Sequence, residues 1–245
     1  MYADPARTYR GRLAPRKNEI AFQVVLEQTD LWVAAEKDLR REILAHVEKI
    51  RGQLKTYIEL HPEFARSLRP VGVENGAPAL VAAMAEAGQR AGVGPMAAVA
   101  GAIAQSVADA FAGVSPNILV ENGGDLYLHS TKDRVIGLLA KPIDGVRLGL
   151  ALPAGRFPLA VCASSGRIGH SLSFGRADLV TVLARSGAMA DAAATALANM
   201  VTRKEDLAPM LEAARSLRRH GLRGVFAQWE DEVAAWGDLE LTALT

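Results

Sequence analysis

Two neighbouring stretches decide how this chain is interpreted: LVTVL at residues 179–183 and ADAAATAL at residues 190–197. The first is apolar and rich in β-branched residues, which predicts a buried strand. The second is rich in alanine, which predicts a helix entered from that strand. Residues four apart lie on one face of a helix, so Asp191 and Thr195 stand one above the other. Their oxygens could together hold one hard cation such as Mg²⁺.

The same pair has a purely structural interpretation. A carboxylate in the first turn of a helix, where this pattern places Asp191, is favoured by the helix dipole. A helical threonine such as Thr195 often hydrogen-bonds to its own backbone. The two interpretations remain open until the rest of the chain is considered.

Length and composition indicate one globular domain over residues 1–245. Half of the residues are hydrophobic and 22% are charged, which argues against disorder. The 28 basic and 27 acidic residues leave a formal net charge of +1. No net field therefore attracts nucleic acid or an anionic membrane. We expect small molecules and proteins as partners, no nucleic acid and no membrane, and an oligomer remains open.

The single cysteine and the first residues point to a reducing compartment. Cys162 alone excludes an intramolecular disulfide framework, and we expect a buried, inert thiol. Residues 1–5 lack a basic region followed by an apolar one, so a cytoplasmic location is expected. Residues 91–108 carry no charge, but they are mostly alanine and glycine and are interpreted as a buried helix rather than a membrane span.

Elsewhere the apolar pattern alternates between the period of strands and that of helices. It predicts a hairpin near residues 20–34, a long amphipathic helix from residue 38, and two alanine-rich helices at 78–89 and 95–111. Short strands follow at 117–121, 126–129, 135–140, 146–152, 158–163 and 179–184, then helices at 189–201 and 207–218 and three closing strands. The strands are too closely spaced for helical crossovers. We therefore predict an α+β fold with a largely antiparallel sheet covered by helices.

Two further features concern packing and charge. Ala97, Gly101, Ala104 and Ala108 form a stripe of small residues, which allows another backbone to approach the second alanine-rich helix closely. A basic cluster near the chain end is interpreted as a solvated helix C-terminus, where cations are favoured; it comprises Arg215, Arg218, Arg219, His220 and Arg223.

Three glycine- or serine-containing loops are candidate ligand contacts. Gly94, Pro95 and Met96 open a helix whose free N–H groups could cradle an anion, although a plain helix start explains them too. Asn122, Gly123, Gly124 and Asp125 could bring backbone amides close to a ligand or form a simple hairpin turn. Ser164, Ser165 and Gly166 follow an apolar strand and could contact a phosphate or a ribose.

One histidine has the surroundings of a catalytic group. His170 lies in the glycine-flanked loop GHSLSFG at residues 169–175, and histidine is the usual acid or base near neutral pH. The other histidines, at positions 46, 61, 129 and 220, have charged helical, proline-adjacent or strand-end surroundings and are interpreted as structural or solvated.

The order of these motifs resembles the ApbE family of FAD:protein FMN transferases. That order is GGD after a strand, then SG, a loop histidine, and an apolar strand running into ADxxxTA. The segments VGPMAAVAGA at 93–102 and GHSLSFG at 169–175 look more closely like an uncharacterised bacterial and archaeal branch described as ApbE-like. With QTDL at 28–31 and HPEF at 61–64, the resemblance covers nearly the whole chain.

The resemblance implies a fold, a chemistry and roles for residues. The fold would be a single ApbE-like (T-fold-like) domain binding FAD or FMN, with Mg²⁺ bridging the pyrophosphate of FAD. Asp191 and Thr195 match the metal-binding side chains, and a backbone carbonyl within 94–98 matches a third ligand. His170 matches the histidine of the transfer chemistry, so His170 and Asp191 are the expected catalytic residues. The segment after Gly166 lacks the family's usual Asp-Pro-x-Thr-Gly continuation, and the helix from Pro95 lacks its lysine.

Three functions are therefore carried forward. The first is a Mg²⁺-dependent enzyme that hydrolyses FAD to FMN and AMP or transfers FMN to a threonine of an acceptor protein. The second is an ApbE-like enzyme acting on another nucleotide or a pterin-like substrate. The third is a flavin- or nucleotide-binding protein without turnover.

Overall fold

The computed structural model describes residues 17–143, 145–166 and 175–244, in which strands and helices form separate blocks. The strands are β1 (Ile20–Leu26), β2 (Thr29–Ala35), β3 (Ile118–Asn122), β4 (Asp125–His129), β5 (Arg134–Gly137), β6 (Arg147–Leu152), β7 (Leu159–Ser164), β8 (Leu179–Ala184), β9 (Leu222–Trp229), β10 (Glu232–Gly237) and β11 (Leu241–Leu244). The helices are α1 (Arg40–Leu60), α2 (Glu63–Arg66), α3 (Ala79–Ala91), α4 (Val99–Phe111), α5 (Gly187–Met200) and α6 (Leu207–Ser216).

The strands pair into two antiparallel sheets. The larger sheet has eight strands in the order β1-β2-β3-β4-β7-β8-β9-β10, and the smaller has the order β11-β6-β5. Every pairing in both sheets is antiparallel. The predicted α+β class with a largely antiparallel sheet is therefore confirmed. Its extension as a single domain over residues 1–245 stays a prediction.

The alternation of side chains along the strands separates two cores. Val120, Tyr127 and Val182 point to the face that packs against the helices. Leu119, Leu128 and Leu183 point to the opposite face and pack against the smaller sheet. Because successive side chains of a strand face opposite sides, both layers are supported by the same strands. The molecule is thus layered as helices, large sheet and small sheet.

The long amphipathic helix forms as the sequence predicts. Helix α1 buries Ile43, Val47, Ile50 and Leu54, which recur every three or four residues and cover the sheet. Asp38, the predicted N-cap, accepts a hydrogen bond from the Arg40 amide at 3.1 Å, although the helix begins at Arg40. The hydrophobic period therefore determined this element, and only its first turn differs.

Helices α4 and α5 cross with their backbones in contact. A Cβ added to Gly101 would collide with the carbonyl oxygen of Gly187 and lie 2.8 Å from the Cβ of Asp191. The small-residue stripe thus serves the close approach that the sequence predicted. Several predicted boundaries differ. The helix predicted from residue 95 is a 3-10 turn over Pro95–Ala98 followed by α4, and α5 spans Gly187–Met200 instead of 189–201. The strand predicted at 135–140 is the shorter β5, and the helix predicted at 207–218 ends at Ser216.

No single helix in the described ranges is long and apolar enough to cross a membrane. The segments Ala79–Ala91 and Pro95–Phe111 reach the required length and composition only as a pair, bent by 105°. Several of their larger apolar side chains, among them Met84, Ile103 and Val107, are buried in the protein core.

The α4–α5 contact makes opposite predictions for two helical glycines. Gly101→Ala should lower the free energy of unfolding by about 1 to 3 kcal/mol, because the methyl group must separate two packed backbones. Gly52→Ala, in the exposed face of α1 with open space around its Cβ position, should raise it by about 0.5 to 1 kcal/mol. Urea unfolding of both variants measures the difference, and a shift of the same sign in both would refute the contact.

Candidate functional site

A cleft of about 280 Å³ lies between the α3–α4 connection, the residues after α2, and α5. One wall is largely apolar and contains Leu68, Val93, Met96 and Val99, and the remaining surface is polar. The polar part is formed by Asp125 at the start of β4 and by three residues of α5, namely Asp191, Thr195 and Asn199. These three are spaced four apart and share one helix face.

The cleft brings together residues that the sequence analysis named separately. Gly94, Met96, Asp125, Asp191 and Thr195 all line it, although they come from three separate regions of the chain. Pro95 is buried at the start of the 3-10 turn and is absent from the lining. The structure thus provides one place where these candidates could act jointly.

Asp191 is held in place by the N-terminus of α4. Its Oδ2 accepts a hydrogen bond from the amide of Gly101 at 2.9 Å, and the Ala100 amide also donates to the carboxylate. Burial raises the pKa of Asp191 to about 7, and the two amide bonds oppose that rise because they favour the charged form. The carboxylate keeps contact with solvent through the cleft even though protein atoms surround it.

This geometry corrects the structural interpretation of Asp191. Helix α5 begins at Gly187 and is capped by Ser186, whose Oγ accepts from the Met189 amide at 3.3 Å. Asp191 therefore lies in the second turn, beyond the favourable position at the start of its own helix. The amides that it satisfies belong to α4, which is a tertiary contact.

Asp125 approaches Asp191 from the sheet. Its Oδ1 accepts from the Ala163 amide at 3.1 Å, and the thiol of Cys162 is also hydrogen-bonded to it. Burial raises the pKa of Asp125 well above its ordinary value, and the charge of Asp191 raises it further. The pKa of Cys162 is also raised, by burial and then by Asp125, so the thiol stays protonated. The expected burial of Cys162 is thus confirmed, and its lack of reactivity stays a prediction.

The donor set of the cleft suits a hard cation with open positions. It offers two carboxylates and the hydroxyl of Thr195, all oxygen donors. No lysine, arginine or histidine lines the cleft within the part of the chain that the structure describes. Among the same residues, no three His, Cys, Asp or Glu side chains are grouped as a closed metal cage. Mg²⁺ prefers such a partial oxygen set, because it keeps waters and takes substrate phosphates as further ligands.

The NGGD segment forms a tight turn. Asn122 pairs with Asp125, and both glycines have positive φ, 68° and 104°, as a two-residue hairpin turn requires. The amide of Gly124 donates to Glu121 Oε1 at 2.6 Å, and Gly124 lines a separate cavity of about 30 Å³ between the sheets. The turn therefore positions Asp125, while ligand contacts by Asn122, Gly123 and Gly124 stay predictions. None of these three lines the cleft.

Two further candidate loops, the serine-containing segment at 164–166 and the histidine-containing segment at 169–175, do not contribute described residues to the cleft lining. Ser164, Ser165 and Gly166 are absent from the cleft lining, so their predicted ligand contacts also stay predictions. His170 lies in residues 167–174, outside the described residues. Beyond that segment, Gly175 packs so closely on the end of α5 that a Cβ would collide with the Ala198 carbonyl oxygen.

The remaining histidines have structural surroundings, as expected. His46 Nε2 lies 3.0 Å from Ser106 Oγ, His61 stacks on Tyr57, and His129 Nε2 lies 2.7 Å from Asp109 Oδ1. The fourth, His220, accepts a hydrogen bond from its neighbour Arg219. None of the four lines the cleft.

Sequence reasoning missed two parts of the cleft. Asn199 could have been found, because it continues the four-residue spacing of Asp191 and Thr195. Ser67 and Leu68, which follow α2, had no local signal. They reach the cleft because Gly94 packs directly on the Ser67 carbonyl, where a Cβ would collide.

Comparison with known proteins gives consistent matches. The family model described as AbpE bacteria matches residues 11–232. A UPF0280 protein of Methanocaldococcus jannaschii is 39% identical over 226 residues, which cover 89% of this chain and 90% of that protein. A UPF0280 protein of Methanothermobacter thermautotrophicus is 39% identical over 201 residues, which cover 80% and 77%.

Two solved structures share the fold at low sequence identity. The flavin transferase ApbE from Vibrio cholerae superposes with a TM-score of 0.55 at 14% identity, covering 89% of this chain and 96% of that chain. The apo flavinyl transferase ApbE of Pseudomonas stutzeri gives a TM-score of 0.55 at 17% identity, covering 89% and 94%. The arrangement of sheets and helices described above is therefore the ApbE fold.

The acidic pair should make the cation-free protein less stable as the pH rises. The folded-state pKa of Asp191, about 7, lies above the value of about 3.9 for an aspartate in an unfolded chain. Such a group contributes stability that is complete when the pH is below its unfolded-state pKa. This stability is lost as the pH rises through its folded-state pKa. In EDTA, the free energy of unfolding should fall by about 2 kcal/mol between about pH 5 and pH 8 through this group.

Urea unfolding across this pH range measures the effect. Asp191→Asn keeps an oxygen acceptor for the α4 amides and should remove most of the slope, whereas Asp231→Asn, at an exposed position outside the cleft, should retain it. Equal slopes in wild type and Asp191→Asn would contradict the raised pKa.

Proposed function

The chain belongs to the family whose model is described as AbpE bacteria, and from that membership we propose that its cleft binds FAD or a related nucleotide together with Mg²⁺. We propose further that the protein hydrolyses FAD to FMN and AMP, or transfers FMN to a threonine of an acceptor protein. Solved proteins that share its fold are named flavin transferases, which supports the choice of flavin.

The acidic pair carries the proposal. A pyrophosphate placed in the cleft faces Asp125 and Asp191, and no cationic side chain lines it among the described residues. The negative charges of the phosphates and of the carboxylates repel each other strongly, because little solvent is present in the cleft to screen them. Asp125 and Asp191 would hold a divalent cation, whose charge would offset this repulsion. When bound, Mg²⁺ neutralises charge that develops on the phosphates and orients them for attack.

The residues of the cleft have separable roles in this proposal. Asp191 supplies the charged metal ligand, and the α4 amides on its Oδ2 fix the direction of the carboxylate. Thr195 supplies a neutral oxygen one turn further along α5. Asp125, fixed by the Ala163 amide, supplies negative charge from the opposite side. A backbone carbonyl within residues 94–98 is the proposed third protein ligand.

The apolar wall of the cleft would contribute to substrate binding and would limit the access of water. Leu68, Val93, Met96 and Val99 offer a surface for a planar ring and reduce the access of water to the polar floor. With water restricted, the attraction between the cation and the phosphates is less screened. The wall thus serves both substrate binding and electrostatics.

The two reactions differ only in the attacking oxygen. In hydrolysis, a water oxygen attacks phosphorus, the phosphoanhydride bond breaks, and FMN and AMP are released. In transfer, the hydroxyl oxygen of a threonine attacks the phosphorus of the FMN half, and AMP leaves. Either oxygen must lose a proton, and His170 is the proposed acceptor on the sequence resemblance.

One observation favours a different substrate of the same chemical kind. The cleft lining contains no aromatic side chain within the described ranges that could stack on the three-ring flavin. A nucleotide with a smaller or pterin-like ring is therefore the second candidate, and binding without turnover is the third. All three share the cation and the phosphates but differ in product.

Metal binding should depend on Asp191 more than on Thr195. In a calorimetric titration of Mg²⁺ in the presence of FAD, Asp191→Asn should abolish detectable cation binding, because a carboxylate charge dominates Mg²⁺ affinity. Thr195→Ala should weaken it by about tenfold, because the hydroxyl is a neutral ligand. Asp109→Asn is the matched control and should bind normally. Normal affinity in Asp191→Asn would return Asp191 to the role of capping α4.

Incubation with FAD and Mg²⁺ tests the activity itself. Chromatography should detect equal amounts of FMN and AMP, and EDTA should prevent their release. His170→Ala should lower turnover by about 100-fold or more and leave FAD affinity unchanged, as expected for a group that only transfers a proton. A parallel loss of affinity and thermal stability would instead indicate a structural histidine. If the wild type releases no FMN or AMP, the proposal of FAD turnover is wrong. Another nucleotide or pterin-like substrate, or binding without turnover, would then be favoured.

A further inference from the structure

A second concave surface, outside the candidate site, is lined by arginines. Arg185, Arg218, Arg219 and Arg223 surround a depression of about 280 Å³, and among the described residues Asp238 is the only acidic one that lines it. Three of these arginines belong to the basic cluster that the sequence predicts to be a solvated helix C-terminus. Arg185 was not included, because it follows β8 and lies far away in the sequence.

The backbone explains how the arginines converge. The chain passes from α6 through a 3-10 turn over Leu217–His220, which ends at Gly221 with φ of 94°. This reversal places Arg218 and Arg219 before the bend and Arg223 after it, in β9. The carbonyl of Gly221 accepts a hydrogen bond from the amide of Arg185 at 3.4 Å. The end of β8 is thereby attached to the same bend.

The charges of this depression are not balanced by neighbours. Over the described ranges, Arg185, Arg218 and Arg223 take part in no ion pair, and Arg219 Nε donates only to His220 Nε2, at 3.1 Å. Other arginines do have partners, as the adjacent Arg215 has in Glu212 at 2.6 Å. Four arginines against one aspartate leave a local charge of +3. The whole chain carries only +1.

The arrangement selects a class of ligand. Each guanidinium presents a planar fork of donors that matches the oxygens of a phosphate group. Several forks around one concave surface suit consecutive phosphates better than a single one, and clustered like charges are relieved by a multivalent anion. Among the described residues, the depression has no pair of carboxylates that could hold a metal ion. The arginines themselves supply the positive charge, so a phosphate anion needs no metal ion to bind here. We propose that this arginine depression binds an oligophosphate chain.

This site is independent of the cleft. Arg185 precedes the first turn of α5, whereas Thr195 lies about 12 Å along the helix axis from Gly187, the first residue of that helix. The two surfaces also have opposite charge, because acidic side chains form the floor of the cleft. An oligophosphate can therefore bind here whether or not the cleft processes a flavin nucleotide.

Calorimetric titration of sodium tripolyphosphate into the full chain tests the proposal. The buffer contains EDTA and about 150 mM NaCl, at which charges further apart than about 8 Å are largely screened. Wild type should bind one tripolyphosphate, with a rise in Tm of about 5 °C at a hundredfold excess over Kd. The double variant Arg218→Gln/Arg223→Gln should raise Kd by tenfold or more. Arg215→Gln, at the same helix end but paired with Glu212, should bind as wild type.

The remaining measurements separate the alternatives. Asp191→Asn should bind tripolyphosphate with unchanged affinity; a change of affinity there, in either direction, would put the anion in the cleft and overturn the proposal. Equal affinity for tripolyphosphate and ATP would show that only the phosphate chain is recognised, and tighter binding of ATP that a nucleoside is contacted as well; both support the site. Binding of an RNA oligonucleotide without binding of tripolyphosphate would make this a nucleic-acid surface, and no binding of either would also refute the proposal.

Discussion

The contact between Gly101 of α4 and Gly187 of α5 is the constraint on which the candidate site depends. With no side chain on either glycine, the two helix backbones touch, and the second turn of α5 comes level with the first turn of α4. The Gly101 amide can then donate to Asp191, which gives unsatisfied N–H groups of one helix a partner on another. The same contact therefore packs the core and orients the carboxylate.

The sheet places the second carboxylate through its two-sided geometry. Asp125 begins β4, and Leu126 after it points to the opposite face, into the core below the smaller sheet. The two positive-φ glycines before Asp125 set the register of the hairpin. Glu121 stabilises the turn by accepting a hydrogen bond from the amide of Gly124. A shift of one residue would exchange Asp125 for a leucine in the cleft. The turn thus acts on the site by setting this register.

Electrostatics then gives the two concave surfaces different properties. In the cleft, burial raises the pKa of both aspartates, and the charge of Asp191 raises that of Asp125 further, so the doubly charged pair is costly. The arginine depression is lined by exposed side chains, including Arg185, Arg218 and Arg219, whose guanidinium groups are cationic. The cleft thus presents acidic side chains to a ligand, whereas the depression presents cationic ones.

The sequence by itself determined the features that depend on local periodicity. The apolar period distinguished strands from helices and hence the α+β class, small residues at helical spacing predicted a close helix contact, and the four-residue step from Asp191 to Thr195 put both on one face. Asn-Gly-Gly-Asp predicted a tight turn because only glycine adopts positive φ without strain.

Only the tertiary structure decided which of these local features meet. It put Asp125 opposite Asp191, brought Ser67 and Leu68 to the cleft, and added Arg185 to a basic cluster that is distant in sequence. It also showed that Asp191 accepts a hydrogen bond from the N-terminus of α4, whereas the sequence suggested an interaction with the dipole of its own helix. These outcomes depend on how helices cross and strands register, which is set by contacts between residues far apart in the chain and leaves no periodic signal within any one segment.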